Sequence, residues 1–170
     1  MHVRFATIAD VEEIAGIHVA SWQSAYRGLL PDRLLDKLDV SERRERWNTI
    51  LSAAGSPVLV AEDDAGHVNG FCSLCASRDR DRDPQQTAEI AALYVAPGAW
   101  RQGFGTVLCS RALAELQRAG YREATLWVLT PNSRARRFYA TQGFERDEGT
   151  KVDAASGVEE VRYVKSIQRR

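Results

Sequence analysis

Apolar and polar positions fall in short blocks along the chain, and the spacing within the blocks changes from one to the next. Val3 to Ala6 alternates as a strand does. From there the period lengthens, and Val11, Ile14, Ala15, His18, Trp22 and Ala25 form one stripe of a helix that Thr7 or Asp10 can cap. The run Arg27-Gly28-Leu29-Leu30-Pro31 breaks that helix, and a second helical stretch follows from Ser41 to Leu51. Val58 to Ala61 and Val68 to Ala76 read as a hairpin closed around Asp63-Asp64-Ala65-Gly66.

The second half has a different rhythm. Residues 77–86 alternate Arg and Asp and end in Pro84-Gln85-Gln86, the pattern of a solvated loop. Glu89 to Val95 is a nearly continuous apolar run, expected of a strand buried on both faces. A helix from about Gly105 to Ala119 stops at Gly120; Glu123 to Leu129 is another buried strand; Asn132 to Gln142 is a short helix ending at Gly143. Two closing strands, near Phe144 to Lys151 and Val158 to Ser166, complete an α/β domain around one central sheet. No repeat and no Gly-, Pro- or Ser-rich linker divides the 170 residues, so residues 1–170 are expected to form a single domain.

Composition narrows the function classes. With 44% hydrophobic and 27% charged residues the chain is of the soluble globular type. Lys plus Arg and Asp plus Glu both number 23, which argues against bulk attraction to nucleic acid or to an anionic membrane. No apolar run reaches the ~20 residues of a membrane span, and the N-terminus has no signal-peptide anatomy, so a cytoplasmic protein is expected. Three cysteines do not make a disulfide framework. Cys72 and Cys75 form a C-x-x-C, but their spacing on a strand puts them on opposite faces and no second Cys/His pair follows, so no metal is expected.

The chemistry concentrates in Tyr94-Val95-Ala96-Pro97-Gly98-Ala99-Trp100-Arg101-Gln102-Gly103-Phe104-Gly105-Thr106, where a buried strand enters a glycine-bearing turn that opens into a helix. Backbone N–H groups at a helix start lack intrahelical partners, and the macrodipole favours negative charge there. Gly103 and Gly105 have no Cβ to keep a phosphate away, and Arg101 adds a cation at the rim. A Walker loop would need a lysine before Thr106, and a dinucleotide fingerprint would need Gly or Ala where Leu108 stands. By itself, Gly-x-Gly before a helix also fits a tight turn with no ligand.

With Asn132-Ser133-Arg134-Ala135-Arg136-Arg137-Phe138-Tyr139-Ala140-Thr141-Gln142-Gly143-Phe144, however, the chain resembles the GNAT superfamily of acetyl-CoA-dependent N-acetyltransferases. The glycine turn fills that family's Arg/Gln-x-x-Gly-x-Gly/Ala motif, with Trp100 in place of the usual Arg or Gln. The second segment fills Asn-x-x-Ala-x-x-Phe-Tyr-x-x-x-Gly-Phe. The segment Ile17 to Pro31 also looks like the opening of many small members.

The resemblance implies a mostly antiparallel sheet splayed between two parallel strands and flanked by about four helices. It implies acetyl-CoA as donor, with the pyrophosphate on the amides of Gln102, Gly103, Phe104, Gly105 and Thr106 and the pantetheine arm along Leu93, Tyr94 and Val95. Asn132 would contact the pantetheine amides, or cap the following helix, or both. Tyr139 is the candidate general acid for the departing thiolate. Glu89, 14 positions before Gly103, is the candidate base; its other reading is a strand-end carboxylate paired with an arginine. Trp22, Tyr26 and Arg27 are candidates to line the acceptor site, Arg27 by pairing with a substrate carboxylate. His18 reads as a core histidine, Cys109 as packing, and Trp47 and Trp127 as core or interface residues. The expected reaction is acetyl transfer to a primary amine of a small molecule or peptide, with no nucleic-acid or membrane partner and a possible homodimer. The competing reading is a non-catalytic acyl-CoA-binding regulatory domain.

Overall fold

The computed structural model describes residues 1–53, 55, 57–154 and 156–168. Its strands are β1 (His2–Phe5), β2 (Val58–Glu62), β3 (Val68–Ala76), β4 (Thr87–Val95), β5 (Glu123–Leu129), β6 (Glu145–Val152) and β7 (Glu159–Ser166). The helices are α1 (Val11–Ala25), α2 (Asp32–Asp36), α3 (Val40–Ser52), α4 (Phe104–Arg118) and α5 (Ser133–Thr141). The strands form one sheet in the order β1-β2-β3-β4-β5-β7-β6. Every neighbouring pair is antiparallel except β4 and β5.

Local chemistry sets the helix ends. The Asp10 carboxylate accepts from the Thr7 N–H at 2.7 Å across a 3-10 turn, Ile8–Asp10, so α1 begins only at Val11. Arg4 holds that carboxylate from β1 with two further bonds. Asp39 caps α3 by accepting from the Ser41 and Glu42 amides. The break after α1 contains the short α2, which the sequence pattern did not indicate; five residues are too few to display a helical period.

Alternating residues of each central strand serve two cores. Leu59, Ala61, Cys72, Leu74, Ile90, Leu126 and Val128 face α4 and α5 and pack on Leu108, Cys109 and Ala112. Val58, Val60 and Phe71 face the other way, against Val11, Ile14, Ala15 and Trp47 of α1 and α3. Cys72 is fully buried, whereas Cys75 is only partly covered.

Two irregularities in β4 shape everything that follows. Ser73 pairs with Ala92 and Leu74 with Ile90, so Ala91 is an extra residue, a bulge in β4. In addition, β4 and β5 pair only at Thr87, Ala88 and Glu89 with Glu123, Ala124 and Thr125; beyond Glu89 the two strands part. The expectation that Glu89 to Val95 is buried on both faces therefore fails for its second half. From Ala91 to Val95 the strand is partly or fully exposed along the opening between the strands.

The Arg/Asp segment 77–86 is not a free solvated loop. It lies across the sheet and is tied there by ion pairs. Arg162, buried on β7, donates to Asp79 at 3.1 Å, to both carboxylate oxygens of Asp81 at 2.7 Å, and to Asp147 at 2.9 Å. Arg82 bridges Asp147 and Glu123, and the Trp127 indole N–H donates to Asp79 at 3.1 Å. Replacing Arg162 with Gln leaves Asp79 and Asp81 without a counter-ion among the described residues and Asp147 with Arg82 alone. Such a loss costs about 3 kcal/mol, the lower end of the range for a broken buried pair because Asp81 is largely exposed. Urea denaturation is expected to report it. The pH dependence has a definite sign. Arg162 pushes the Asp81 carboxyl down to about 2, so its stabilisation is present above the ordinary aspartate range and is lost as pH falls toward 2. The acid limb of wild-type stability contributed by this cluster is absent in the Gln variant.

Candidate active site

Where β4 and β5 part, a cavity of about 390 Å³ runs between them. Leu93, Tyr94 and Val95 form one wall and Trp127 and Val128 the other. One end is closed by Arg101, Gly103, Gly105 and Thr106 at the start of α4, and Asn132, Arg134, Phe138 and Tyr139 of α5 and its cap complete that side. At the opposite end stand Ser21, Ala25 and Tyr26 of α1. The parted strands thus make a passage from the α4/α5 side of the sheet to the α1 side.

The glycine turn is built for an anion. Gly103 stands in the left-handed region (φ 94°) at the N-cap of α4 and offers no side-chain cap. Arg101 is also left-handed (φ 61°), an unusual state for a long side chain. The Gln102 amide side chain donates to the Gly98 carbonyl at 2.9 Å and fixes the turn. Among the described residues, the backbone N–H groups of residues 102–106 donate to no protein acceptor. Five successive free amides at a helix start, beside Arg101 and Arg134, create a concentrated positive site. Phe104 contributes only its amide, since its ring is buried in the core.

Trp100, the departure from the family motif, has a definite position. Its indole N–H donates to the Val95 carbonyl at 2.7 Å, and the Arg134 guanidinium lies 3.8 Å from its ring centroid. One aromatic side chain thereby ties the turn to β4 and to α5. Burial pulls the Arg134 pKa down, with help from Arg101. Arg134 has no acidic partner among the described residues, and the sequence reading missed it. The Val95 carbonyl also accepts from the Ser21 hydroxyl at 3.0 Å, so on Val95 only the N–H is left for a ligand.

Asn132 caps α5 by accepting from the Ala135 amide at 3.1 Å, and it lines the cavity as well. Tyr139 is packed against Phe138 and Phe144, yet its hydroxyl has no hydrogen-bond partner among the described residues. Burial raises its pKa well above that of a free phenol. Cys109 lies in the core behind it, its thiol pushed up to about 11 by burial, a poor nucleophile.

On the α1 side the residues singled out from sequence divide. Tyr26 lines the cavity, with burial pushing its phenol upward. Trp22 stands one layer back, edge-on to Tyr26 at 5.1 Å. Arg27 does not approach the cavity. It is exposed and pairs with Asp32 and Asp36 of α2, the helix the pattern missed, so its expected role toward a substrate carboxylate has no geometric basis. Glu89 is buried outside the cavity lining, with both oxygens accepting from Arg78 at 2.5 and 3.0 Å. It stands as the arginine-paired carboxylate that was its other reading. A second carboxylate was not singled out. Glu160 of β7 is partly buried, 3.6 Å from Lys151, and burial raises its pKa, with the charges of Asp153 and Glu89 adding to the effect. His18 is buried, and its Nδ1 accepts from the Trp47 indole at 3.0 Å. Trp47 is core; Trp127 is partly buried under Lys151, 4.1 Å from its ring centroid. No group of three metal-ligating side chains occurs among the described residues, and no helix among them is long and apolar enough to cross a membrane.

Known proteins share this arrangement. The model of the acetyltransferase (GNAT) family matches residues 17–144. An uncharacterized N-acetyltransferase of Archaeoglobus fulgidus is 32% identical over 148 residues, 87% of this chain and 95% of that relative. The uncharacterized N-acetyltransferase YuaI of Bacillus subtilis is 31% identical over 130 residues, 76% of this chain and 72% of its own. In fold, the chain is similar to the PaiA N-acetyltransferase from Thermoplasma acidophilum in complex with coenzyme A. That match has a TM-score of 0.78 at 21% identity and covers 98% of this chain and 99% of that one.

Proposed function

The chain belongs to the GNAT family of acetyltransferases, and from that premise we propose that it transfers the acetyl group of acetyl-CoA to a primary amine of a small molecule or peptide, by direct attack in a ternary complex. The observation that carries this reading is the passage between β4 and β5, with five free amides at one end and an unpartnered phenol beside it. Acetyl-CoA supplies an activated acyl group on a thiol leaving group. The amides of residues 102–106, with Arg101 and Arg134, hold its pyrophosphate, and the bulged strand from Ala91 to Val95 offers unpaired backbone to its pantetheine arm.

Transfer forms a C–N bond and breaks a C–S bond, and one proton must leave the attacking nitrogen. Tyr139, on the cavity wall with its hydroxyl unpartnered among the described residues, would donate to the departing thiolate. For the amine proton two carboxylates come into question, Glu160 and Glu89, and Arg78 occupies both oxygens of Glu89. Like Glu89, Glu160 lies outside the cavity lining, but its only ion-pair partner among the described residues is Lys151 at 3.6 Å, so it is the carboxylate of the two left to take the amine proton, through water.

Calorimetric titration with acetyl-CoA, followed by thiol release across a panel of amines, tests the proposal. Saturable binding and release with some amines is the expected result. Binding without release on any amine would favour the regulatory reading, and absence of binding would refute both. In the same assay the rate should climb as pH rises through the Glu160 pKa, the sign required of a base that works deprotonated. Glu160→Gln is expected to remove that acid limb and lower kcat.

A further inference from the structure

Behind Tyr94, on the α1 side of the passage, the side chains of His18, Trp22 and Arg43 form a cluster that the transfer chemistry does not use. His18 stacks on the Tyr94 ring at 5.2 Å and lies 5.7 Å from Trp22. Because its Nδ1 accepts from Trp47, the neutral ring carries its proton on Nε2, and that N–H is buried with no partner. Burial, aided by Arg43 and Arg46, pushes the His18 pKa down to about 3, so the ring stays neutral. The Trp22 indole N–H is a second buried donor without a partner; it faces the Tyr94 hydroxyl without completing a hydrogen bond. The Arg43 guanidinium lies 5.6 Å from the Trp22 ring centroid, partly buried. Unlike Arg27, it forms no ion pair among the described residues. Burial lowers its pKa, and Arg46 repels it.

Apart from the Tyr94 hydroxyl, the polar groups of this cluster left without a partner are donors, and none of these side chains carries negative charge. Buried polar groups are normally satisfied, and a half-desolvated cation without a counter-ion is costly. An anion beside Arg43 would complete such a cluster. Tyr94 and Tyr26 connect it to the cavity, which both residues line. The Tyr94 phenol feels both the Arg43 and the Glu160 charge, with opposite effects on its pKa.

We propose that the acceptor is a small amino-acid-like molecule whose carboxylate binds Arg43 while its amine reaches the passage between β4 and β5. The proposal rests on the acetyltransferase reading and adds the substrate class to it. Arg43 and the tyrosine hydroxyls make the contacts; the buried, unpartnered N–H groups of His18 and Trp22 leave the surroundings favourable to negative charge.

Paired acceptors test it: amino acids against their carboxamides, and aminophosphonates against both. The wild-type protein should prefer the carboxylate over the amide by about ten- to hundredfold in kcat/KM, the scale of one charge-assisted contact. Arg43→Gln should bring that ratio near one through KM, with the Kd for acetyl-CoA reporting that the fold is intact; Arg43→Lys should restore part of the ratio. A preference for phosphonates over carboxylates would overturn the carboxylate assignment. Turnover with equal rates on acids and amides would overturn the proposal while leaving the transferase reading standing. If no amine is acetylated, titration of the CoA-loaded protein with N-acetyl amino acids and their amides decides separately, and binding indifferent to the carboxylate refutes the anion site.

Discussion

Gly105→Asp is expected to abolish acetyl-CoA binding while leaving a folded protein. Gly105 has an ordinary helical backbone, and an added Cβ would meet the Phe138 ring at 3.3 Å, a contact that a small shift of the ring relieves. The substitution is therefore tolerable for the fold. For a pyrophosphate it is not. The side chain enters the end of the cavity formed by Gly103, Gly105 and Thr106, and it places a carboxylate among amides that have no other acceptor. Losing the amide contacts and adding like-charge repulsion together remove roughly 4 kcal/mol or more, about a thousandfold in Kd. Calorimetry against acetyl-CoA, with thermal melting as a control for folding, reads both halves of the expectation. Undiminished affinity in a folded variant would place the pyrophosphate elsewhere.

The cofactor side was far more legible in the sequence than the acceptor side, for a physical reason. Amide binding is a property of backbone shape, and shape at a strand-turn-helix is written in consecutive residues: a run that ends at Val95, a glycine at a left-handed position, and an amphipathic helix after it. The acceptor side is assembled from α1, α3, β4 and β7, which meet only in three dimensions. Nothing in the local pattern relates Arg43 to Trp22, or Glu160 to Tyr94. Arg27 was conspicuous because it sits beside the helix break, but its pairing could not be read from the pattern, because the carboxylates that occupy it lie on a five-residue helix with no visible period.

The apolar run of β4 is the most instructive case. A continuous hydrophobic strand ordinarily signals protein packed on both faces. Here only the first half, Thr87 to Ile90, is covered in that way. The remainder is apolar and lies along the cavity; under the proposed function its composition fits a ligand that takes the place of the missing strand neighbour. The bulge at Ala91 marks the change-over, and alanine at positions 91 and 92 gives no hint of it in the sequence. The Arg/Asp segment shows the converse error. Alternating charges suggested solvation, whereas Asp79 and Asp81 close on buried Arg162, 83 and 81 positions away, and Arg78 closes on buried Glu89.

Tyr139→Phe is expected to lower kcat by about a hundredfold or more with little change in the Kd for acetyl-CoA. The hydroxyl has no hydrogen-bond partner among the described residues, and its ring is held by Phe138 and Phe144, contacts that phenylalanine preserves. Removing the oxygen thus leaves the packing intact and takes away one polar atom at the cavity wall. Whether that atom gives up its proton is a question of relative acidity. An ordinary phenol is about 1.5 pK units weaker an acid than an ordinary thiol, so complete transfer to a thiolate is uphill by about 2 kcal/mol. Burial raises Tyr139 further, but it also raises the thiols of Cys72 and Cys109 in the same surroundings. A thiolate forming in the passage is desolvated alongside the phenol, so both become more basic and the gap between them does not simply widen. On the proposed mechanism the hydroxyl acts first as a hydrogen-bond donor that stabilises the developing sulfur charge, with proton transfer completed as CoA departs. On this account the loss in the Phe variant falls on kcat, and it should shrink when the acyl donor carries a more acidic thiol, which needs less help to leave. An undiminished kcat would return Tyr139 to a packing role.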